Sequence, residues 1–410
     1  MKIAYLLQEG VPDVRQTPLS GPANHVVRVI EEFKKNGHHV RLLMVFDHKI
    51  WSSDDLKDFR IVSVRWLDHG PIRLFERIIR HLQSKLRLTY FAFFDSLRFA
   101  LACRQELSGY DLFYERMGWM GYGGGLASRL MKIPLVLEVN GDHLTELRHL
   151  GMEPKGAQRK ISIFLMDKAI KMSSHIIATG EGWKKALIER WGTASDQVSV
   201  VENGSEMVHL LQRDQLRCFH EGNKQDETVN LVYVGGFEPW HGLTILIQAF
   251  SSIVEQGLPA HRNLVGSGTL WDELQAQVHD LRIEASVSFL GHKPMEQVAK
   301  ILSQADIGMS PYCGREEYSG LKLLDYKAAG LATIASGARG QPAVIEHGRT
   351  GLIVTPCSNE ELFDAIVQLC TNCELRKQMG RQARIEAEEL HSWSQTVTEL
   401  EKIFNQLNSI

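Results

Sequence analysis

"VYVGGFEPWHGLTILIQAF", Val232–Phe250, reads as a short apolar strand, a loop holding Gly235, Gly236, Trp240, His241 and Gly242, and then a helix. The same strand, loop and helix order repeats on both sides. After it come "HRNLVGSG", "VSFLGH", "IGMSPY", "LATIAS" and "GLIV", with helical segments between them. Before it, a first series opens with "KIAYLL", a Gly/Pro loop and the helix "NHVVRVIEEFKKNG", with Gly37 where a helix-ending glycine belongs. It continues through "HHVRLLMVF", "DLFYER" (Asp111–Arg116), "IPLVLEVNG" (Ile133–Gly141), "HIIATG" and "VSVVENG". Strands alternating with helices of this size suit right-handed crossovers between parallel strands. The polar stretch Leu211–Thr228 marks the edge of a second domain. The fold class is therefore α/β, with two doubly wound, parallel-sheet domains. Ligands bind such sheets beyond the carboxyl ends of the strands, so a cleft between the domains is the expected site.

Bulk properties agree with this reading. The 410 residues are too many for one ordinary core. A formal charge of −3 without a long basic block gives no sign of nucleic-acid binding. No apolar run reaches the roughly 18–20 residues of a membrane span. The opening "MKIAYLLQEGVP" lacks a small-residue cleavage site and reads as a buried strand rather than a signal peptide. Six cysteines are scattered, and the one CxxC, "LCTNC", has no second pair to complete a zinc site. Reduced thiols in a cytoplasmic protein are the simplest expectation. "SSDDLKD" reads as a helix N-terminus, not as a metal site. Pro71–Leu107 carries seven Arg/Lys between Pro71 and Arg104 against Glu76 and Asp95, with the aromatic cluster "TYFAFF". Two readings stay open for it: a cationic surface lying on anionic lipid at the cytoplasmic face of a membrane, or two packed helices with solvated basic faces.

Four stretches carry candidate chemistry. "SGPANHVVRVI" sets Ser20 and Gly21 just before a helix expected to begin near Ala23 or Asn24, where unpaired N–H groups suit a phosphate or form a simple turn. "LVGSGTLWDEL" (Leu264–Leu274) imitates a dinucleotide fingerprint, but Trp271 stands where its third glycine belongs. His241, at the entrance of the helix after Gly242, is either a phosphate donor or a capping residue. "GREEYSGLKLLDYKAAGLATIAS" (Gly314–Ser336) places Glu317 ahead of a helix expected from near Ser319 to Gly330, and Asp325 about 9 Å along it. With Lys322 on the first turn, that helix start suits a diphosphate between two hydroxyl-gripping acids. A solvated acidic helix entrance explains the same residues.

Taken together and in order, these motifs resemble the retaining family 4 glycosyltransferases with the GT-B fold. The likeness runs through "GPANHVVRVIEEFKKNGHHV", "IPLVLEVNG", "VVENGSE", the opening stretch, "LVGSGTLWDELQ", "FLGHKPMEQVAKILSQADIGMSPY", the two-acid stretch and "GQPAVIEHGRTGLIV". It implies an acceptor-binding domain over 1–205, a donor-binding domain over 206–390 and a last helix over 391–410 returning to the first domain, with Trp393 in the closing segment. It also implies that Glu317 holds donor-sugar hydroxyls, that Asp325 holds the ribose, and that backbone amides of Tyr318, Ser319, Gly320 and Leu321 face the diphosphate and sugar. Gly21 then matches the first-domain glycine loop, Asn140 falls where many members have a sugar-touching histidine, and His292 and Lys293 border the base. Gly235 belongs to the same donor loop. Gly236 and His241 stand where many members carry an arginine and a lysine, which leaves His241 and Lys322 as the leading phosphate contacts.

The implied reaction moves a hexose-type sugar from a nucleotide diphosphate, UDP by family habit, to a hydroxyl of a glycan or lipid-linked acceptor. It proceeds with retention and without a metal or other cofactor. A nucleotide-sugar epimerase of the same architecture and a degenerate binding subunit are the alternatives. A dinucleotide oxidoreductase suits the sheets but lacks the fingerprint.

Overall fold

A computed structural model describes residues 1–408 apart from 9–11, 17–18, 69–70, 86–92, 142, 150, 221–227, 314–319 and 338–341. Its contacts divide the chain into two units: Met1–Glu202 with Val397–Ile410, and Asn203–Thr396.

The first unit holds an eight-stranded sheet. Its strands are β1 (Lys2–Leu7), β2 (His39–Phe46), β3 (Lys49–Ser53), β4 (Arg60–Val62), β5 (Leu112–Arg116), β6 (Leu135–Val139), β7 (His175–Ala178) and β8 (Val198–Val200). They lie in the order β4-β3-β2-β1-β5-β6-β7-β8. Six of them pair in parallel, as the alternation with helices predicts. The other two correct the expectation of a purely parallel sheet, because β2, β3 and β4 pair antiparallel. The stretch "SSDDLKD" is the turn of that meander rather than a helix start. Asp55 accepts the N–H groups of Lys57 at 2.9 Å and Asp58 at 2.8 Å, so its side chain closes the turn itself. The core sets Leu6, Leu43, Phe99, Phe113 and Leu135 together.

The second unit holds β9 (Val229–Val234), β10 (Ala260–Val265), β11 (Val287–Gly291), β12 (Ile307–Ser310), β13 (Ala332–Ser336) and β14 (Gly351–Val354). All pair in parallel, in the order β11-β10-β9-β12-β13-β14. Strand order reverses between β9 and β12. Such a switch point opens a crevice at the strands' carboxyl ends, where parallel α/β sheets hold ligands. Leu231, Tyr233, Leu246, Phe250 and Ile334 are among the fully buried residues of its core.

One cysteine pair departs from the expectation of reduced thiols. Cys313, three residues past β12, is disulfide-bonded to Cys357, three residues past β14, across 44 residues of sequence. The crossovers bring two distant strand exits to the same end of the sheet, which spacing along the chain does not reveal. Cys103, Cys218, Cys370 and Cys373 are free.

Candidate active site

The switch point of the second unit gathers four of the sequence-predicted residues. β9 ends at Val234, and Gly235 follows with φ +150°, donating its N–H to Val265 O at 3.0 Å. A Cβ at Gly235 would lie 3.0 Å from the Tyr233 hydroxyl and 3.2 Å from Lys322 Cε, so glycine keeps room for both. The Gly236 carbonyl accepts from the Tyr233 hydroxyl at 2.7 Å and from His241 Nδ1 at 2.6 Å. Because a carbonyl only accepts, the Nδ1 proton is fixed and the ring is oriented. His241 Cε1 comes within 3.4 Å of where a Gly236 side chain would begin. The histidine therefore lies at ordinary contact distance from the glycine.

Lys322 reaches the same place from the Leu321–Ala328 helix. Its ammonium donates to the Tyr312 hydroxyl at 3.3 Å and sits over two rings, 4.5 Å from the Tyr312 centroid and 5.1 Å from that of Tyr233. Tyr312 also stands edge-on to His241, with centroids 5.0 Å apart. Two aromatic faces thus hold the cation between them. Neither tyrosine was singled out from the sequence. An aromatic residue at a strand end reads as core, and the only signal was its place one or two residues from a glycine or proline loop.

The helix begins two residues later than expected, at Leu321, with Gly320 as its cap at φ +48°. Gly320 offers no side chain to bond the first-turn N–H groups. Tyr326, buried on the same helix, anchors it to the sheet. Its hydroxyl accepts from Val234 N at 2.8 Å and donates to Met309 O at 3.1 Å, tying the ends of β9 and β12. Lys327 is buried on Glu386 at 2.8 Å and on Val344 O at 2.9 Å. Glu317, Tyr318 and Ser319 lie outside the described residues.

Asp325 stands three residues beyond Lys322 but engages a different partner. The Ser205 hydroxyl donates to its Oδ1 at 2.6 Å, and Ser205 Oγ in turn accepts from Met207 N at 3.1 Å. Burial pushes the Asp325 carboxyl up to about 7, with the nearby Glu206 adding to the rise and the Ser205 hydrogen bond opposing it. The sequence suggested an acid ionised throughout. The structure instead has one that titrates near neutrality, because its helix carries it into packed surroundings. His292 is exposed and Lys293 half-buried just past β11, two strands from β9. The glycines of "LVGSGTLWDEL" serve packing: a Cβ at Gly266 would strike the Gly235 carbonyl, and one at Gly268 would strike the backbone of Phe237. Trp271, in place of the third glycine, stacks on Phe237 at 5.5 Å. Trp393 is buried in the second unit at the start of the helix Trp393–Asn408, along which the chain passes back to the first unit.

The first unit carries Gly21 and Asn140. Gly21 is the first residue of the helix Gly21–Lys35, not a residue ahead of it, because Ser20 caps the helix with Oγ 3.4 Å from Ala23 N. With Pro22 lacking an N–H, the first turn has fewer donors for a phosphate than the sequence suggested. A Cβ at Gly21 would meet nothing within 4 Å. Asn140 donates its amide to Glu138, an acid buried in β6 that the sequence reading passed over. His25 contacts Glu138 at 3.0 Å, Tyr114 donates its hydroxyl to it, and Arg116 approaches to 3.5 Å. Burial raises the Glu138 carboxyl, and these neighbours more than reverse that, holding it at about 2. The available signal was a glutamate inside the apolar run "LVLEV". Among the described residues no group of three or more His, Cys, Asp or Glu is placed to hold a metal ion.

Comparison with known proteins covers both units. The family described as "Glycosyltransferase Family 4" matches residues 19–206, and "Glycosyl transferases group 1" matches residues 214–386. A D-inositol 3-phosphate glycosyltransferase of Corynebacterium glutamicum is 23% identical over 313 residues, covering 74% of this chain and 73% of that protein. Among solved structures, the sucrose-phosphate synthase of Thermosynechococcus elongatus superposes with a TM-score of 0.70 at 18% identity, covering 100% of this chain and 99% of that one. The Anabaena HepE protein, solved in complex with UDP, superposes with a TM-score of 0.68 at 17% identity, covering 99% and 100%. At such identities the superpositions speak to the fold, which is GT-B.

Proposed function

From the premise that this chain belongs to the family 4 type of GT-B glycosyltransferases, we propose that it moves a hexose-type sugar from a UDP-sugar to a hydroxyl of a glycan or lipid-linked acceptor, with retention at the anomeric carbon. The observation that carries the donor reading is the convergence of His241 and Lys322 at the switch point of the second unit, beside the glycine-capped start of the helix that bears Asp325. A cation held between two rings and an oriented imidazole suit charge on a departing diphosphate, and Asp325 suits a ribose. Glu317 takes the sugar hydroxyls. Gly235 and Gly236 let the backbone approach the donor, with Gly320, Leu321 and the preceding Tyr318 and Ser319 amides toward the diphosphate. His292 and Lys293 border the base, and on the first unit Gly21 is assigned to the donor phosphate and Asn140 to the sugar.

No carboxylate pair is assigned to double displacement. The departing phosphate takes the acceptor proton on the face where the acceptor arrives, and the protein positions the reactants and stabilises the leaving charge. Neither a metal nor a cofactor takes part in this scheme, so turnover is expected to survive a chelator. An imidazole held in one orientation by the Gly236 carbonyl favours a working phosphate site over a degenerate one.

Thermal shift with UDP, GDP, ADP and their sugar conjugates tests the reading, because a ligand bound only by the folded state raises stability with its saturation. A shift with a UDP-sugar is expected. No shift with any of them would overturn the proposal. Glu317→Gln is expected to weaken UDP-sugar binding while leaving most of the affinity for UDP, and equal loss for both would remove its assigned role.

A further inference from the structure

The helix Pro71–Lys85 of the first unit is turned inside out. Glu76 is its buried residue, held by Arg80 Nε at 2.8 Å and by Arg98 Nη2 at 2.7 Å. Ile72 and Ile79 are half-buried, Ile72 against the core, but four other apolar side chains face solvent: Leu74 is 60% exposed, Phe75 57%, Ile78 49% and Leu82 51%. Edge-on contacts from Phe75 to Phe94 and from Phe94 to Phe93 extend this surface onto the next helix, where Phe93 is also exposed. A single exposed leucine needs no explanation, but a whole helical face does.

Charge selects what covers the face. Leu74, Ile78 and Leu82 form one row at four-residue spacing, and Arg73, Arg77, His81 and Lys85 form the neighbouring row, about 100° round the helix. This second row is exposed throughout, and Arg73, Arg77 and Lys85 carry its charge. The one acid of the helix, Glu76, is already held by two arginines, and among the described residues no acidic side chain pairs with Arg73, Arg77 or Lys85. A second copy docking on the same face would set cation against cation. Beside the row lies a cavity of about 400 Å³, lined by Lys49, Arg73, Arg77, Arg80 and Arg98 and also by Asp68, Glu76 and Asp95, so that cations outnumber acids in its wall.

We propose that this face docks on an anionic lipid bilayer, with lipid phosphates along the Arg73–Lys85 row and at the cavity mouth. Leu74, Phe75, Ile78 and Leu82 then enter the boundary between headgroups and acyl chains. This deepens the acceptor class proposed above toward lipid-linked acceptors, and in that respect it rests on that reading.

The test is co-sedimentation of the full chain with phosphatidylcholine vesicles, with and without phosphatidylglycerol. Binding to the anionic vesicles that weakens with salt is expected, as is its loss in a Phe75→Ser, Ile78→Ser, Leu82→Ser variant. Arg77→Gln keeps the apolar row and is expected to lower the partition coefficient roughly fivefold, the weight of one cation near an anionic surface. Should the triple variant fold poorly, Arg77→Gln alone carries the test. No binding to anionic vesicles, or equal binding by both variants, would overturn the proposal. So would a wild-type dimer that the triple variant dissolves, which would make the face an interface between copies. UDP-sugar thermal shift, read in parallel, separates failure of this surface from failure of the donor site.

Discussion

Asp325 joins a short bond from Ser205 to a carboxyl that burial drives toward neutrality, and its titration is visible in stability. Its folded value of about 7 lies above the ordinary 3.8, so the folded chain holds this proton more tightly than the unfolded one. That contribution is complete below 3.8 and is lost as pH rises through about 7. Asp325→Asn carries no such proton. The stability advantage of the wild type over this variant is therefore expected to shrink between these two pH values and to level off above them. Denaturation midpoints of both proteins across the range check this, and a difference that ignores pH would place the carboxyl in water. Arg262 on β10 is a second residue whose setting is costly. It is fully buried against the Phe250 ring at 4.1 Å, and none of its three guanidinium nitrogens has a hydrogen-bond partner among the described residues. Burial pushes its pKa well below the usual arginine value. Arg262→Met keeps the stem and removes the charge, and is expected to stabilise by on the order of 1–4 kcal/mol, offset in part by the lost ring contact. A melting temperature at or below that of wild type would show that the ring compensates the charge in full.

Two glycines at element junctions separate packing from ligand chemistry. Gly266 leaves β10 at φ +134°, and a Cβ there would strike the Gly235 carbonyl, so both backbone and space oppose a side chain. Gly266→Ala is expected to cost about 1–3 kcal/mol from the backbone conformation alone. Gly21 opens its helix with empty space around it, so Gly21→Ala should stay within about 0.5 kcal/mol of wild type. If Gly21 borders the donor phosphate, the same change weakens UDP-sugar binding without moving the melting temperature, and unchanged affinity would take Gly21 out of the site. The contrast also marks how far the sequence can be read. The alternation of strand and helix was legible because buried parallel strands such as "LVLEV" and "NLVYV" are apolar runs bounded by loops. β3 and β4 were not, because "KIWSS" and "RIV" are short, partly exposed strands whose pairing depends on an aspartate-closed turn. Lys322 and His241 were legible as polar donors near glycine loops. Their tyrosine partners and Ser205 were not, since those contacts join residues far apart in the chain and carry no spacing of their own.

Each unit encloses its own core, yet the first is completed only by the last residues of the chain, which re-enter it at Val397. Phe404 is fully buried there, stacked on Phe33 at 5.6 Å and tilted against Tyr114 at 5.5 Å. Glu401, one turn earlier, accepts from Asn36 at 2.8 Å and contacts His38 at 2.9 Å, where the first helix hands over to β2. The closing helix therefore secures the segment that leads from Gly21 into the sheet. Phe404→Ala leaves a cavity at this point and is expected to cost the first unit about 3–5 kcal/mol. The units form separate cores of the size that unfolds independently, so the loss should remain local. Hydrogen exchange read by mass spectrometry is then expected to rise in β1, β2 and β5 and to stay at wild-type levels in β9 through β14. The thermal shift given by a UDP-sugar, reported from the second unit, should survive in the same variant. Faster exchange spread evenly over both sheets would mean that the two cores unfold as one. The closing helix would then stabilise the whole chain rather than the first unit.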